Sequence, residues 1–309
     1  LEVASVEYYA PICYQVGEEE NGWKLRTVLQ SKMFISRQLL VRLKQCERGI
    51  LLNSERKYVD FYVRTGDLIE IRMPQEESTD ILPQEMALDI VHEDDQILVI
   101  NKPAGLIVHP THGHYINTLA NGVVHLWQTR AVKHRFRPVQ RLDQDTSGLI
   151  CIAKTPFAHQ FIALQLLEHS VEKEYLAIVD GVITQDAGVI DGPIDRLAEQ
   201  PHRRAVIAGG AEACTQFEVV ERQHSSTLVK LRLLSGRTHQ IRVHMEFLGH
   251  PLLGDSLYGP ASAEHLRWIE RQALHASKLG FVHPGTRMWT EYQQPLPADM
   301  ERCLQIART

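Results

Sequence analysis

The order of apolar and polar positions divides the chain into two patterned regions with an unpatterned stretch between them. Near the start, Tyr8-Tyr9-Ala-Pro-Ile12 reads as an edge strand. Leu25, Val28 and Leu29 recur at i, i+3 and i+4 and predict a short helix. Ser36 stands as an N-cap before Arg37-Gln-Leu39-Leu40-Val-Arg42-Leu43-Lys44, where the same spacing predicts a second helix. Its apolar face turns Arg37 and Lys44 outward. Residues 49–54 read as a strand entering a turn, and residues 60–72 as two alternating strands around Gly66-Asp67. Acids, Pro83 and few apolar residues then interrupt the pattern. Such a stretch buries too little surface to order itself. The expected division is a first domain at 1–75, an acidic linker at 76–87 and a second domain at 88–309.

In the second region Ile90-Val91 and Ile97–Ile100 predict two strands around an acidic turn. A Pro/Gly loop follows, with Lys102 at its mouth. Asn117 or Thr118 caps a short helix, and Gly148–Ala153 is a buried strand. Thr155-Pro156 opens a helix carrying Phe157, Phe161, Leu164 and Leu167 on one face. Residues 172–181 are a strand, and residues 184–213 a Gly-rich excursion with basic tips at Arg196, Arg203 and Arg204. Two alternating strands fill 215–234. A helix after Ser235-Gly236 sets Ile241, Met245 and Leu248 toward the core and leaves Arg242 off that face. Gly249 ends it. Another helix is expected over 266–272.

Composition changes little in this picture. At 44% hydrophobic and 23% charged, the chain is an ordinary globular one. No window approaches the roughly eighteen uninterrupted apolar residues of a membrane span. The first residues lack the basic and apolar regions of a signal peptide. Cys13, Cys46, Cys151, Cys214 and Cys303 are odd in number, scattered and without a CxxC pair. That pattern suits a reducing, cytoplasmic setting. Charge matters more. The net value is -5, yet residues 76–95 hold eight acids and no Lys or Arg, and the rest of the chain is +3. Local field rather than net charge governs attraction of an anion, so a nucleic-acid partner stays open.

The stretch with most chemistry is Val139-Gln140-Arg141-Leu142-Asp143-Gln144-Asp145-Thr146-Ser147-Gly148-Leu149-Ile150, just after a basic run that includes Arg135 and Arg137. Arg141 and Asp143 are as compatible with an ion pair holding a turn as with a carboxylate offered to a ligand. Asp145 reads as a turn residue. A glycosidase pair at Asp143 and Asp145 would need carboxyls about 5–5.5 or 6.5–9.5 Å apart. It would also want aromatic platforms, and aromatics are 7% of the chain with none clustered there. His109, His112 and His114 invite a metal, but no carboxylate or thiolate completes a set. No metal and no cofactor are expected.

Two resemblances follow from these motifs. Ile35-Ser36-Arg37, Leu43-Lys44, Leu52-Asn53, Val63, Gly66-Asp67 and Ile71 resemble the S4 RNA-binding domain, although Ser54-Glu55-Arg56-Lys57 replaces its shorter turn. Asn101–Pro110, Arg141-Leu142-Asp143 with Thr146-Ser147-Gly148-Leu149, Lys173-Glu-Tyr175, Arg237-Thr-His239-Gln-Ile-Arg242, residues 249–259 and 274–284 resemble the large-subunit RluA type of pseudouridine synthase. One departure is Gln140, where that family has His. The resemblance implies an α+β fold, a mixed, mainly antiparallel sheet with flanking helices, plus a small α+β S4-like N-terminal domain. It implies isomerisation of uridine in rRNA or tRNA, without a cofactor. A monomer is expected. The resemblance assigns Asp143 as the catalytic carboxylate, Arg242 as its basic partner and Tyr175 as the active-site tyrosine. Arg141 would replace the flipped nucleotide in the RNA. Arg237, His239, Lys102, Arg135, Arg137, Arg37 and Lys44 would contact RNA. The alternative is a non-catalytic RNA-binding or ribosome-assembly protein that keeps the fold.

Overall fold

The structure is a computed structural model that describes residues 6–259 and 268–308. The N-terminal unit contains β1 (Ile12–Gln15), α1 (Leu25–Ser31), α2 (Arg37–Gln45), β2 (Ile50–Leu52), β3 (Glu55–Arg56) and β4 (Leu68–Ile71). Its antiparallel sheet runs β1–β4–β2–β3. The edge strand therefore starts at Ile12, and Tyr8 forms only an isolated bridge to Pro74. Ser36 caps α2 as expected, accepting a hydrogen bond from the Leu39 N–H. Leu25, Val28 and Leu29 of α1 and Leu39, Leu40 and Leu43 of α2 pack with Ile50, Ile69 and Ile71 of the sheet.

The acidic stretch is held by both of its neighbours. The Glu76 carboxylate accepts from Arg42 on α2 and from Arg137 beyond the stretch. The Ser78 hydroxyl accepts from the Phe136 N–H, Ile81 is buried, and the Leu82 carbonyl accepts from Asn121. The expectation of an unordered linker overlooked these partners: charge that cannot pack alone is paired across the chain. Phe157 and Phe161 extend the N-terminal core, and the Arg287 guanidinium lies over Phe34, Phe157 and Phe161.

The second region holds β5 (Ile90–Glu93), β6 (Ile97–Lys102), α3 (Leu119–Thr129), β7 (Ser147–Ala153), α4 (Pro156–Leu167), β8 (Glu172–Asp180), β9 (Ala187–Asp191), β10 (Ile194–Leu197), β11 (Gln200–Val206), β12 (Cys214–Arg222), β13 (Ser226–Leu233), α5 (Gln240–Phe247), β14 (Leu274–Val282), β15 (Trp289–Gln293) and α6 (Ala298–Ala307). The main sheet runs β5–β6–β7–β14–β8–β13–β12–β9, with β15 also on β14. Every pairing is antiparallel except β7 with β14. That parallel contact needs Gly148: its φ is 111°, and an added Cβ would lie 2.3 Å from the Ala276 carbonyl oxygen. Strand β7 is buried along its whole length, matching its continuous apolar run.

Three details differ from the expected elements. Residues 184–213 are not mainly loop: β9 joins the main sheet beside β12, and β10–β11 form a hairpin. Backbone pairing orders this segment despite its glycines. Arg203 is no free tip, since it pairs with Glu246 and lies over Tyr258. Helix α4 buries Phe157, Ala158, Phe161, Ile162 and Gln165, while Leu164 and Leu167 face outward. Two neighbours, the N-terminal core and the sheet, divide its surface, so one stripe does not describe it. Residues 268–272 are turn and irregular structure rather than helix, and 266–267 lie outside the described residues.

Candidate active site

The loop between Pro138 and β7 places Asp143 over the sheet. Leu142 is buried beneath it, and the Thr146 N–H closes the turn on the Asp143 carbonyl at 3.1 Å. Two cations grip the loop from behind. The Lys102 ammonium donates to the carbonyls of Pro103, Leu106 and Gln144 at 2.9, 2.9 and 2.8 Å. Arg271 donates to the Asp145 carbonyl at 3.0 Å and to the Ser147 hydroxyl at 3.3 Å. Three acceptors use all three donors of an ammonium group. Burial pulls the Lys102 pKa down to about 7, against the raising effect of Asp145 and Asp143. The three carbonyls favour the protonated form, and we read Lys102 as charged at that hydrogen-bonding station.

Lys102 therefore corrects its expected role. It is fully buried and absent from the cavity, so it braces the loop and does not touch RNA. The sequence placed it at an open loop mouth, but the loop folds back over it.

Asp143 faces a cavity of about 1040 Å³, whose lining includes Arg141, Lys173, Tyr175, Arg237, His239 and Arg242. That exceeds the roughly 300–1,000 Å³ typical of small-ligand pockets. Among the described residues Asp143 is the one carboxylate in the lining, against four Lys and Arg. An anionic ligand would find favourable potential there in a chain of net charge -5.

Arg242 connects Asp143 to a second carboxylate. Its Nε and Nη2 donate to Asp255 at 2.6 and 2.8 Å, and its Nη1 donates to Asp143 Oδ2 at 3.3 Å. The fork geometry is the bidentate type that orients a guanidinium. Burial works against the Arg242 charge, but Asp255 and Asp143 prevail and raise its pKa. The expectation that Arg242 lies off the core face missed this. Residues 240–245 of α5 are all buried: Asp255 and Tyr258 meet Arg242, while Thr215 meets Gln240 and His244 and the Gly192 carbonyl meets His244.

His239 lies with Nε2 3.9 Å from Asp143 Oδ2, and its Nδ1 is 2.9 Å from the Tyr258 hydroxyl. Burial lowers its pKa, outweighing the effect of Asp143. Tyr175 is buried, and burial followed by the Asp143 charge raises its pKa. A phenol so held stays protonated, which removes it as a ready base and leaves its ring as an apolar wall. Arg141 is exposed at the cavity.

Other expected contacts lie apart. Arg37 and Lys44 line a separate groove on the N-terminal unit. Arg135 is exposed outside the cavity lining, and Arg137 is committed to Glu76. His109, His112 and His114 do not form a converging ligand set; among the described residues that geometry occurs at His92, Asp94 and His283. There the His283 Nδ1 accepts from the Gly285 and Thr286 N–H groups, both at 3.1 Å. Its proton must then sit on Nε2, 2.8 Å from Asp94, which makes the trio a hydrogen-bonded cluster rather than an open metal site.

Sequence reasoning missed Asp255, Tyr258, Arg271 and Lys173. The first two sat in residues 249–259, which entered the family resemblance as a stretch with no role given to either residue. Lys173 had a usable signal, because period-two alternation puts it on the same side of β8 as Tyr175.

Comparisons with known proteins identify the family. The RNA pseudouridylate synthase family matches residues 96–247. The Bacillus subtilis protein named uncharacterized RNA pseudouridine synthase YlyB is 40% identical over 84% of this chain and 86% of its own. Ribosomal large subunit pseudouridine synthase D of Pseudomonas aeruginosa is 42% identical over 80% of each chain. The solved structure of human RNA pseudouridylate synthase domain containing 1 is 27% identical, with a TM-score of 0.58, over 72% of this chain and 95% of its own.

Proposed function

The chain belongs to the RNA pseudouridylate synthase family and is an isomerase acting on RNA, and from that premise we propose that Asp143 is its catalytic carboxylate and that its target is a uridine of large-subunit ribosomal RNA. The reaction breaks the bond from N1 to the anomeric carbon, turns the uracil, joins C5 to the same carbon and moves a proton off C5. Asp143 supplies an oxygen that can add to either half of the divided nucleoside and leave again. Both versions require an ionised carboxylate facing the cavity. Arg242, held by Asp255, donates to Asp143 Oδ2 and fixes the direction in which that carboxylate faces.

The observation that carries this reading is a single carboxylate on a braced loop in an otherwise cationic cavity. Tyr175 supplies the apolar wall against the uracil. Exposed Arg141 fills the place of a nucleotide drawn out of the RNA stack, since a stacked base cannot be reached. Arg237 and His239 contact the target strand, and Arg37, Lys44 and Arg135 contact RNA farther away. The rRNA target rests on relatives named as ribosomal large subunit pseudouridine synthase D. We take residues 1–75 as an S4-like RNA-binding domain, 76–87 as the connector and 88–309 as the catalytic domain. We take the protein to act in the cytoplasm as a monomer. Among the described residues, no helix is long and apolar enough to cross a membrane.

The test is pseudouridine mapping of total RNA from cells with and without the protein, repeated with Asp143→Ala. The expected result is loss of one or more rRNA sites in both the null and variant strains. Purified Asp143→Ala should bind substrate RNA within a few-fold of the parent. Measurable turnover by that variant overturns the assignment of Asp143.

A further inference from the structure

The N-terminal unit carries an exposed aromatic loop that the catalytic cavity does not use. Residues 58–63 are fastened to the start of α1 by backbone hydrogen bonds. The Leu25 N–H donates to the Phe61 carbonyl at 2.8 Å, the Arg26 N–H to Val59 at 2.9 Å, and the Val63 N–H to Trp23 at 2.9 Å. Val59 and Val63 are buried as anchors. Beside these anchors Tyr58, Phe61 and Tyr62 remain 92%, 46% and 60% exposed. Large aromatics left outside on an ordered loop mark a surface that meets a partner.

Its surroundings define that partner's charge. The Lys57 ammonium lies 5.7 Å from the Phe61 ring centre, and the Lys24 ammonium 5.9 Å from that of Tyr62. Arg26 pairs with Asp60 on the loop and also lines a groove of about 340 Å³ with Arg37 and Lys44. Arg56, just before the loop, donates to the Lys44 carbonyl at 3.0 Å, which joins loop and groove. Between Trp23 and Arg64 there are ten Lys and Arg against three acids, in a chain of net charge -5. A polyanion with flat apolar faces suits this surface.

We propose that Tyr58, Phe61 and Tyr62 form a stacking platform for unpaired nucleotides of RNA, whose backbone runs into the groove of Arg26, Arg37 and Lys44. The site rests on the reading of the chain as an RNA enzyme and gives the N-terminal unit a preference for unpaired over duplex segments. Stacking tolerates any base because every base has a π-face, while the lysines and arginines hold phosphate. Exposed rings also need no rearrangement before binding.

The experiment uses the full chain and a short fluorescein-labelled oligouridine, with a blunt RNA duplex as the control probe, at fixed salt. Tyr58→Ala/Tyr62→Ala should weaken oligouridine binding about tenfold or more, with duplex affinity changed less than twofold. Tyr58→Phe/Tyr62→Phe should bind like the parent, since the ring and not the hydroxyl is used. Melting temperature establishes that the alanine variant is folded. Alanine-variant binding of oligouridine at parental affinity overturns the platform, and so does equal weakening toward both probes. Cross-linking of the loop to a protein in cells, with oligouridine affinity intact, overturns it in favour of a protein dock. Failure of the enzyme reading would show separately, as absence of pseudouridine formation.

Discussion

The strongest quantitative expectation concerns Asp255, a residue whose importance follows from geometry. Its carboxylate has no exposed side-chain surface and takes two short bonds from Arg242. It also accepts from the Leu257 and Tyr258 N–H groups at 2.9 and 3.0 Å. Asp255→Asn keeps the shape but turns one acceptor into a donor facing the guanidinium. Each charge-assisted bond contributes about 1.5–3 kcal/mol. Stranding one member of a buried ion pair costs about 3–5 kcal/mol. At roughly 2–4 °C per kcal/mol for a large domain, the melting temperature should fall by about 10 °C. Catalysis should suffer more than folding. Arg242, released from Asp255, is already 3.3 Å from Asp143 and would close on it. A displacement of about 1 Å in an active site can cost about a hundredfold in rate. The assays are thermal unfolding followed by circular dichroism and single-turnover pseudouridine formation. A double variant, Asp255→Leu with Arg242→Met, should recover part of the stability while remaining inactive: removing both charges removes the stranded one, but the Leu257 and Tyr258 N–H groups still lose their acceptor. An Asp255→Asn protein that melts within about 2 °C of the parent and keeps its single-turnover rate would refute the reasoning.

Three further expectations use other parts of the site. Lys102→Met removes the donor shared by Pro103, Leu106 and Gln144, and should lower kcat roughly tenfold or more through loop displacement, with KM within twofold; unchanged kcat refutes the bracing role. Lys173 lines the cavity, and burial lowers its pKa with no acidic group among the causes. Lys173→Met should reduce the slope of log affinity against log salt by about 0.7–0.9, the loss of one phosphate contact, and an unchanged slope would exclude that contact. Burial, then Arg271, lowers the His275 pKa to about 4. The unfolded state, with a value near about 6.5, binds the proton first, so stability is fully present above that pH and is lost as pH falls toward 4. The loss approaches about 3 kcal/mol, and urea titrations of His275→Asn should show a shallower fall across this window.

Local patterns made much of the fold legible, because they report local constraints. Ser36, Thr118 and Thr155 each cap the helix expected to follow, and the continuous run of β7 is buried as such a run should be. Long-range pairing was not visible. The parallel contact of β7 with β14 joins residues more than a hundred positions apart, and only the steric demand at Gly148 hints at it. Strand β9 was hidden for the same reason: glycines lowered its local preference, while its order comes from the ladder with β12. The acidic stretch misled because composition counts charge and ignores partners, and Glu76 has two.

At the site the same limit appears as an inversion between two lysines. Lys102 was nominated for RNA because a Pro/Gly loop reads as open surface. The loop instead closes over it and supplies three carbonyl acceptors, so the ammonium works inside the protein. Lys173 received no role, although it opens the Lys-Glu-Tyr motif that carries Tyr175. Yet a strand has a period of two, and the reading that placed Tyr175 in the cavity places Lys173 on the same side. The apolar pattern alone cannot separate the two lysines, since neither contributes to it. What separates them is the demand that a buried ammonium find acceptors: backbone carbonyls meet it for Lys102, whereas Lys173 looks into a cavity whose one carboxylate is already engaged by Arg242. A cation left in that position has an anion as its natural complement, and the enzyme's substrate carries one at every nucleotide.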